Sequence, residues 1–540
     1  MQRQIPPSAL LGVAIVALAL IGHWLQSATH LNHDVSYFIH FDTWLLQGRS
    51  VGDDLFDGNL PMVWLLFMPA GIAVHFGWMD EPTAVRLMFW GYALLSTALL
   101  VEVLRRIARP ATAASAGWVG AFVIAATLAP GFSFGQREYA SVLFAMPYLA
   151  MAVLRVEGGR LPHTATMAVI GLLAGIGFSV KPHFLAVPGL IELWLLLRLG
   201  PRRQFVRTEF LVMAGAVAAY VALAALLLHD YLASRLELTL ATYWAYGTAP
   251  YGALLERFLR IVQPALFALT IAAFTRTWRA HHTAVLLAAL GYAVCYFVQR
   301  KGFVYHGYPV LACALALLGA CAGEGSHRAW TRWRENGSPL RLAVLASVAF
   351  LAVIPLKAVH DDVAHWYFQY NIGWGPNGRF RQAVIEMVDR VAPEPGSYFY
   401  GFSTHPFPGF PTASYTRAEW SGSSINQPFI PAIARLDEVT DPKRRAGIVR
   451  AAGVLRDQVI HDFERRPPRI VFVEYAPVRL GLGDRPFDDL AFYLGDPRFA
   501  RIWARYEEVE PMGPLRVFVL RGATAGTSAP TRPAPGARAG

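Results

Sequence analysis

Apolar stretches of about 17–25 residues recur through the first two thirds of this chain, and that is the length a helix needs to cross a bilayer. The runs fall at about 8–26, 86–104, 112–130, 139–154, 163–179, 183–199, 209–229, 258–275, 282–298, 307–322 and 340–357. Composition points the same way. Of 540 residues, 55% are hydrophobic and 16% charged, where a soluble chain usually carries about a quarter charged. The chain reads as a polytopic α-helical membrane protein. Its first run has no A-x-A-like cleavage site, so it reads as a retained helix and not as a signal peptide. The formal net charge is +11, but the arginines cluster between apolar runs, where they set orientation and do not call for nucleic acid. Cys295, Cys313 and Cys321 all lie inside apolar runs, which gives neither a disulfide framework nor a zinc-site spacing.

The arginine-rich connections at 104–109 (LRRIAR), 198–207 (RLGPRRQFVR), 276–282 and 328–341 belong on the cytoplasmic side by the positive-inside rule. One more run, 60–77, is short and interrupted by Pro61 and Pro69. Taken as a crossing, it would place LRRIAR beside the acidic loop before it and RLGPRRQFVR outside. It is therefore expected to lie in the interface, anchored by Trp64 and Trp78. Eleven crossings follow, with a cytoplasmic N-terminus and an extracytoplasmic C-terminus. A twelfth crossing, offset by a misassigned run elsewhere, is the alternative. The outer segments are then 27–85, 131–138 (GFSFGQRE), 180–183 (VKPH), 230–257 and 299–306 (QRKGFVYH). The segment 230–257 holds the aromatic cluster TYWAYGTAPY, suited to an interface or a substrate groove.

Composition divides the chain into three parts. Residues 1–357 form the membrane module, with 27–85 as its first outer loop. Residues 358–521 are more polar and alternate helix and strand, giving a small α/β domain on the outer face. An amphipathic helix is expected at 378–391, and strands at 397–403, 470–475 and 515–520. The tail 522–540, rich in Ala, Pro, Gly and Thr, is expected to be disordered. G-x-x-x-x-G-K-[ST] does not occur.

With this orientation, four of these segments deliver Asp34, Arg137, Glu138, Lys181, His183, Arg300, Lys301 and His306 to the outer side. Any one basic residue at a span end is most simply an interfacial anchor. As a set they sit on the side where the positive-inside rule disfavours them, and a bound anion would account for that. A phosphate needs several cationic donors around it, and a lipid phosphate lies at this depth.

The chain resembles the GT-C superfamily of membrane glycosyltransferases, the group that includes protein O-mannosyltransferases and the lipid A aminoarabinose transferase. After the first span, Asp34-Val35-Ser36-Tyr37 stands where the family often has D-E-x-Y. GDDLFDGNLP resembles R-D-F-F-D-N-H-P-P, with Leu60 where the family has His. A-V-R-L at 84–87 enters the next span, and GFSVKPH resembles G-L-A-F-L-T-K-G-P. The outer C-terminal α/β domain also fits.

The resemblance implies a transferase in the bacterial inner membrane. It would move a sugar from a polyprenyl-phosphate donor to a hydroxyl of a glycan, lipid or protein acceptor on the periplasmic face. It also implies that the first-loop acid, Asp34, is the general base. Arg137, Lys181, His183, Arg300, Lys301 and His306 are the residues expected around the donor phosphate. Glu138, Tyr37, Asp54 and Tyr305 are expected at the sugar or acceptor. Displacement from the face opposite the phosphate gives inversion, so a second catalytic carboxylate is not required. No cofactor is called for, although a divalent metal shared by Asp34 and Glu138 is another use of the same acids. Two other classes stay open: a flippase or transporter of lipid-linked sugars, which needs the basic cavity but no base, and a membrane subunit whose outer domain binds a partner.

Overall fold

The computed structural model of the protein describes residues 7–52, 54–108, 112–276, 278–336, 357 and 360–522. The run expected at 340–357, apart from residue 357, the acid Asp53 and the tail from 523 onward lie outside the described residues. Two compact units are present: Met1–Leu240 with Gly247–Phe380, and Ala241–Tyr246 with Arg381–Gly540.

The first unit is helical. Its leading helices are α1 (Pro7–Ser27), α2 (His33–Leu46), α3 (Met62–His75), α4 (Glu81–Leu104), α5 (Thr112–Thr127), α6 (Arg137–Glu157), α7 (Thr164–Ser179) and α8 (Ala186–Leu199). The helices Thr208–Leu227, Tyr251–Ile261, Gln263–Thr275, Ala280–Gln299 and Val304–Asn336 follow. Among the described residues, six helices are long and apolar enough to cross a membrane: Glu81–Leu104, Arg137–Glu157, Pro182–Leu199, Thr208–Leu227, Ala280–Gln299 and Val304–Arg328. Shorter apolar helices, Val16–Ser27, Met62–His75, Ala113–Thr127, Thr164–Ser179 and Gln263–Ala273, accompany them.

The packing is ordered as it is in lipid. Thr208–Leu227 is the most apolar of the six and the least buried, with Leu226 and Leu227 more than 70% exposed. In water such a helix would seek the core; in a bilayer its leucines gain nothing by leaving the lipid. Helix α6 carries charge at both ends and is the most buried, packed by α4, α7, Ala280–Gln299 and Val304–Asn336. Close approach of α7 to α6 requires Gly177, where an added Cβ would meet Phe144 Cβ at 3.0 Å.

Two local expectations are corrected. The run at 258–275 is not one helix: the chain turns at Val262, and Pro264 opens a new helix at Gln263, as proline does in a first turn. Trp64 is not an interfacial anchor. It is 5% exposed, its indole Nε1 donates to Asp57 Oδ2 at 2.7 Å, and its ring stacks on Phe41. Trp78 is 68% exposed and stacked on Phe76, as an anchor should be.

The second unit is built on a five-stranded sheet in the order β2-β1-β3-β5-β4. The strands are β1 (Tyr398–Phe402), β2 (Glu419–Trp420), β3 (Ile470–Glu474), β4 (Tyr506–Met512) and β5 (Leu515–Leu520). β1 runs parallel to both β2 and β3, while β3–β5 and β5–β4 are antiparallel. β1 and β3 read as apolar runs because both faces are covered. The helix Pro442–Arg465, capped by Asp441, makes the crossover between β2 and β3. Trp420, Tyr400, Phe463, Phe402 and Tyr493 form an aromatic core. Ala245 belongs to this unit and packs with Ala432, Val439 and Ile448.

Candidate functional site

The site begins at two helix N-termini. Asn32 caps α2: its side-chain oxygen accepts the Asp34 N–H at 2.9 Å. That puts Asp34 in the first turn, where the helix dipole favours a carboxylate. Gln136 precedes α6, whose first two residues are Arg137 and Glu138. The two N-termini meet. Gln136 Nε2 donates to Asn32 Oδ1 at 2.7 Å and to Asp34 Oδ2 at 3.0 Å. Arg137 Nη2 lies 3.6 Å from Asp34 Oδ2, and His33 Nε2 lies 3.7 Å from Asp34 Oδ1. The Arg137 guanidinium also donates to Asn59 and sits over the Phe38 ring. Asn59 is held in turn by Asp57, whose Oδ1 accepts both its backbone and side-chain N–H.

One residue further along α6 a second pair forms. Glu138 is fully buried, and its Oε1 accepts from Lys181 Nζ at 2.5 Å. Lys181 donates to Gln299 Oε1 as well, at 3.0 Å, and its ammonium lies 5.7 Å from the Tyr305 ring centre and 5.9 Å from that of Phe184. Burial pulls the Lys181 pKa below the ordinary lysine value, with Glu138 opposing the shift. His306 Nε2 is 3.9 Å from Glu138 Oε1. Several buried polar atoms here have no hydrogen-bond partner among the described residues: Glu138 Oε2, Arg137 Nε, His183 Nε2 and His306 Nδ1. A native interior pairs such groups, so orphans gathered at one place mark where a polar ligand would be received.

Six of the eight charged residues expected on the outer side are thus brought together: Asp34, Arg137, Glu138, Lys181, His183 and His306. Arg300 and Lys301 are employed otherwise. Arg300 adopts φ 51°, its carbonyl accepts the Ala249 N–H at 2.8 Å, and its guanidinium lies over the Tyr251 ring. Lys301 Nζ donates to Gly247 O at 2.8 Å. Both fasten the 247–251 loop. Tyr37 is fully buried one turn after Asp34, with its hydroxyl donating to Phe56 O at 3.3 Å. Asp54 Oδ2 accepts from Ser50 N and Ser50 Oγ, closing a turn.

Asn32, Asn59, Gln136 and Gln299 were not among the expected residues. Only Asn32 carried a sequence signal, a capping residue with an acid two places later. Among the described residues, no three His, Cys, Asp or Glu side chains are grouped to hold a metal ion, and Asp34 and Glu138 each face a cation of the chain itself.

This architecture is an ArnT-like fold. The chain is similar over nearly its whole length to ArnT from Cupriavidus metallidurans bound to undecaprenyl phosphate, with a TM-score of 0.57, 14% identity, and coverage of 96% of this chain and 99% of that one. Against ArnT from the same organism in the apo state the TM-score is 0.55 at 13% identity, covering 95% and 98%. At these identities the likeness is one of fold. No family model and no curated protein sequence matches the chain.

Proposed function

We propose that the protein is a membrane glycosyltransferase that takes its sugar from a polyprenyl-phosphate donor on the periplasmic face of a bacterial inner membrane. The observation that carries the reading is the meeting of Asp34 with Arg137, beside the buried Glu138–Lys181 pair, on a fold shared with a structure bound to undecaprenyl phosphate. A base, two cations and unpaired polar atoms gathered around one helix N-terminus match what the reaction needs.

The acceptor hydroxyl attacks the anomeric carbon and the bond from that carbon to the phosphate oxygen breaks. The polyprenyl phosphate leaves with the electron pair, and the hydroxyl proton passes to the Asp34 carboxylate. Attack from the face opposite the phosphate inverts the anomeric centre. Arg137 and Lys181 stabilise the charge gathering on the phosphate. Lys181 has three N–H bonds and gives two to Glu138 and Gln299, so one remains for an anion. The test is a panel of polyprenyl-phosphate sugars offered to the purified full chain, with products read by mass. Release of free polyprenyl phosphate with a glycosylated acceptor supports the reading. A chain that moves such lipids across vesicles and never cleaves them is the flippase instead.

A further inference from the structure

We propose that Gln136 is a positioning residue for Asp34, holding the base in register with the cations of α6; the inference rests on the transferase reading above. The hydrogen bonds fix the chemistry step by step. Asn32 Nδ2 donates to Phe132 O at 2.9 Å, which orients that amide and makes its Oδ1 the acceptor. This oxygen takes the Asp34 N–H at 2.9 Å and Gln136 Nε2 at 2.7 Å. The second Nε2 hydrogen goes to Asp34 Oδ2 at 3.0 Å. Turning the Gln136 amide over would set its carbonyl oxygen against two acceptors, so only this orientation is stable. Gln136 is fully buried, and its Oε1 has no partner among the described residues.

The base has few other restraints. Arg137 and His33 stand at 3.6 and 3.7 Å, beyond ordinary hydrogen-bond length, and Lys181 acts on Asp34 only through its charge. Among the described residues the Gln136 amide makes the one hydrogen bond to this carboxylate side chain. Because Gln136 adjoins Arg137 in sequence, the same bond sets the distance from base to guanidinium.

The experiment uses the full chain with a polyprenyl-phosphate sugar from the panel and compares Gln136→Met, Gln136→Glu and Asn32→Ser. Gln136→Met keeps the length of the side chain and removes both donors. It is expected to lower kcat about ten- to hundredfold, the cost of a small misplacement of a reacting group, with little change in KM for the donor. Gln136→Glu has the same shape, but its carboxyl must either repel the Asp34 carboxylate or share one proton with it; either way the free base is lost, so it should lose as much and stands in if Gln136→Met does not fold. Asn32→Ser keeps a capping oxygen on α2 but removes the acceptor that orients the Gln136 amide, so it should lose part of kcat, clearly less than Gln136→Met. On an Asp34→Asn background, Gln136→Met should cost nothing further, as expected for groups acting as one unit. Equal losses in Gln136→Met and Asn32→Ser, or the full Gln136→Met loss on the Asp34→Asn background, would make Gln136 a structural clamp only. Wild-type kcat in Gln136→Met overturns the proposal alone. No turnover by wild type with any donor overturns the transferase reading and this proposal with it.

Discussion

The two ends of α6 each hold a fully buried glutamate facing a cation, and they are built differently. Near the start, Glu138 receives Lys181 on one oxygen and leaves the other unpartnered. In the last turn, Arg155 grips Glu209 with a fork, Nε to Oε1 at 2.9 Å and Nη2 to Oε2 at 2.8 Å. Arg207 closes that end by reaching both Glu209 and Glu192, and Tyr148 donates to Glu192. Seventeen residues separate Glu138 from Arg155, about 26 Å at 1.5 Å each, close to the thickness of a hydrocarbon core. One end is saturated and the other has capacity left over. A closed fork holds helices together, whereas an open pair has something still to bind.

The sharpest way to break this contrast is Asp34→Asn, at the open end. It is expected to reduce single-turnover transfer about a hundred- to ten-thousandfold while leaving the unfolding midpoint in detergent unchanged. Near wild-type transfer would shift the base elsewhere, with Glu138 next to examine. Arg155→Met should do the reverse at the closed end. Removing one partner of a buried pair costs about 3–5 kcal/mol, so the unfolding midpoint should drop while transfer per folded molecule persists. A variant that unfolds normally and loses transfer would show that the closed end takes part in the chemistry.

A finer cut separates the two duties of Lys181. Lys181→Ala should weaken donor binding about tenfold or more, the worth of a charge-assisted contact, and should also destabilise the chain by stranding Glu138. Adding Glu138→Gln should restore stability and not affinity. Arg137→Ala should weaken the donor similarly. Unchanged donor affinity in both Lys181→Ala and Arg137→Ala would remove the phosphate role from these residues.

The smallest effect is in the second unit, where Asp462 offers the counterexample of a carboxylate with both oxygens occupied. Ser423 donates through its backbone N–H and its hydroxyl, and Arg466 adds Nη2. Burial nevertheless pushes the Asp462 pKa up to about 6. A folded-state value above the unfolded one near 4 means that the folded form holds its proton more tightly. The stabilisation is therefore complete below about pH 4 and lost as pH rises through about 6. It is worth on the order of 3 kcal/mol. The midpoint of unfolding should fall across that window in wild type and fall less in Asp462→Asn; an identical slope in both would refute the assignment.

Much of this was legible in the sequence because membranes make hydropathy a strong signal. The apolar runs, the strands β1, β3 and β5 of the second unit and the amphipathic helix Pro376–Val391 all announce themselves by pattern. Arg137, Glu138 and Lys181 stood out because a charge at a span end is costly and asks for a reason. That signal could not separate Lys181 from Arg300. Both are basic residues at helix ends, and what distinguishes them is the left-handed turn at Arg300 and the loop it meets. Trp64 and Trp78 are likewise alike in sequence until Asp57 is found bonded to one of them. Amides such as Gln136, Asn59 and Gln299 carry no charge to draw notice, so their part emerges only from geometry. β4 was missed because its alternation of glutamates reads as a solvated stretch; its pairing to β5 and the Arg516–Glu508 fork make it a strand.

The membership of Ala241–Tyr246 in the second unit bears on how the protein is made. Ala245 is synthesised almost two hundred residues before Ala432, Val439 and Ile448, with which it packs, and Trp244 sits in the same cluster with Arg444 over its ring. A ribosome must finish several further helices before this hydrophobic cluster can close. The six-residue segment therefore waits through about a third of translation with its partners not yet in existence. The C-terminal segment expressed by itself would carry an unfilled notch where Trp244 and Ala245 belong. Biosynthesis thus couples the quality of the second unit to the integrity of a loop laid down long before it.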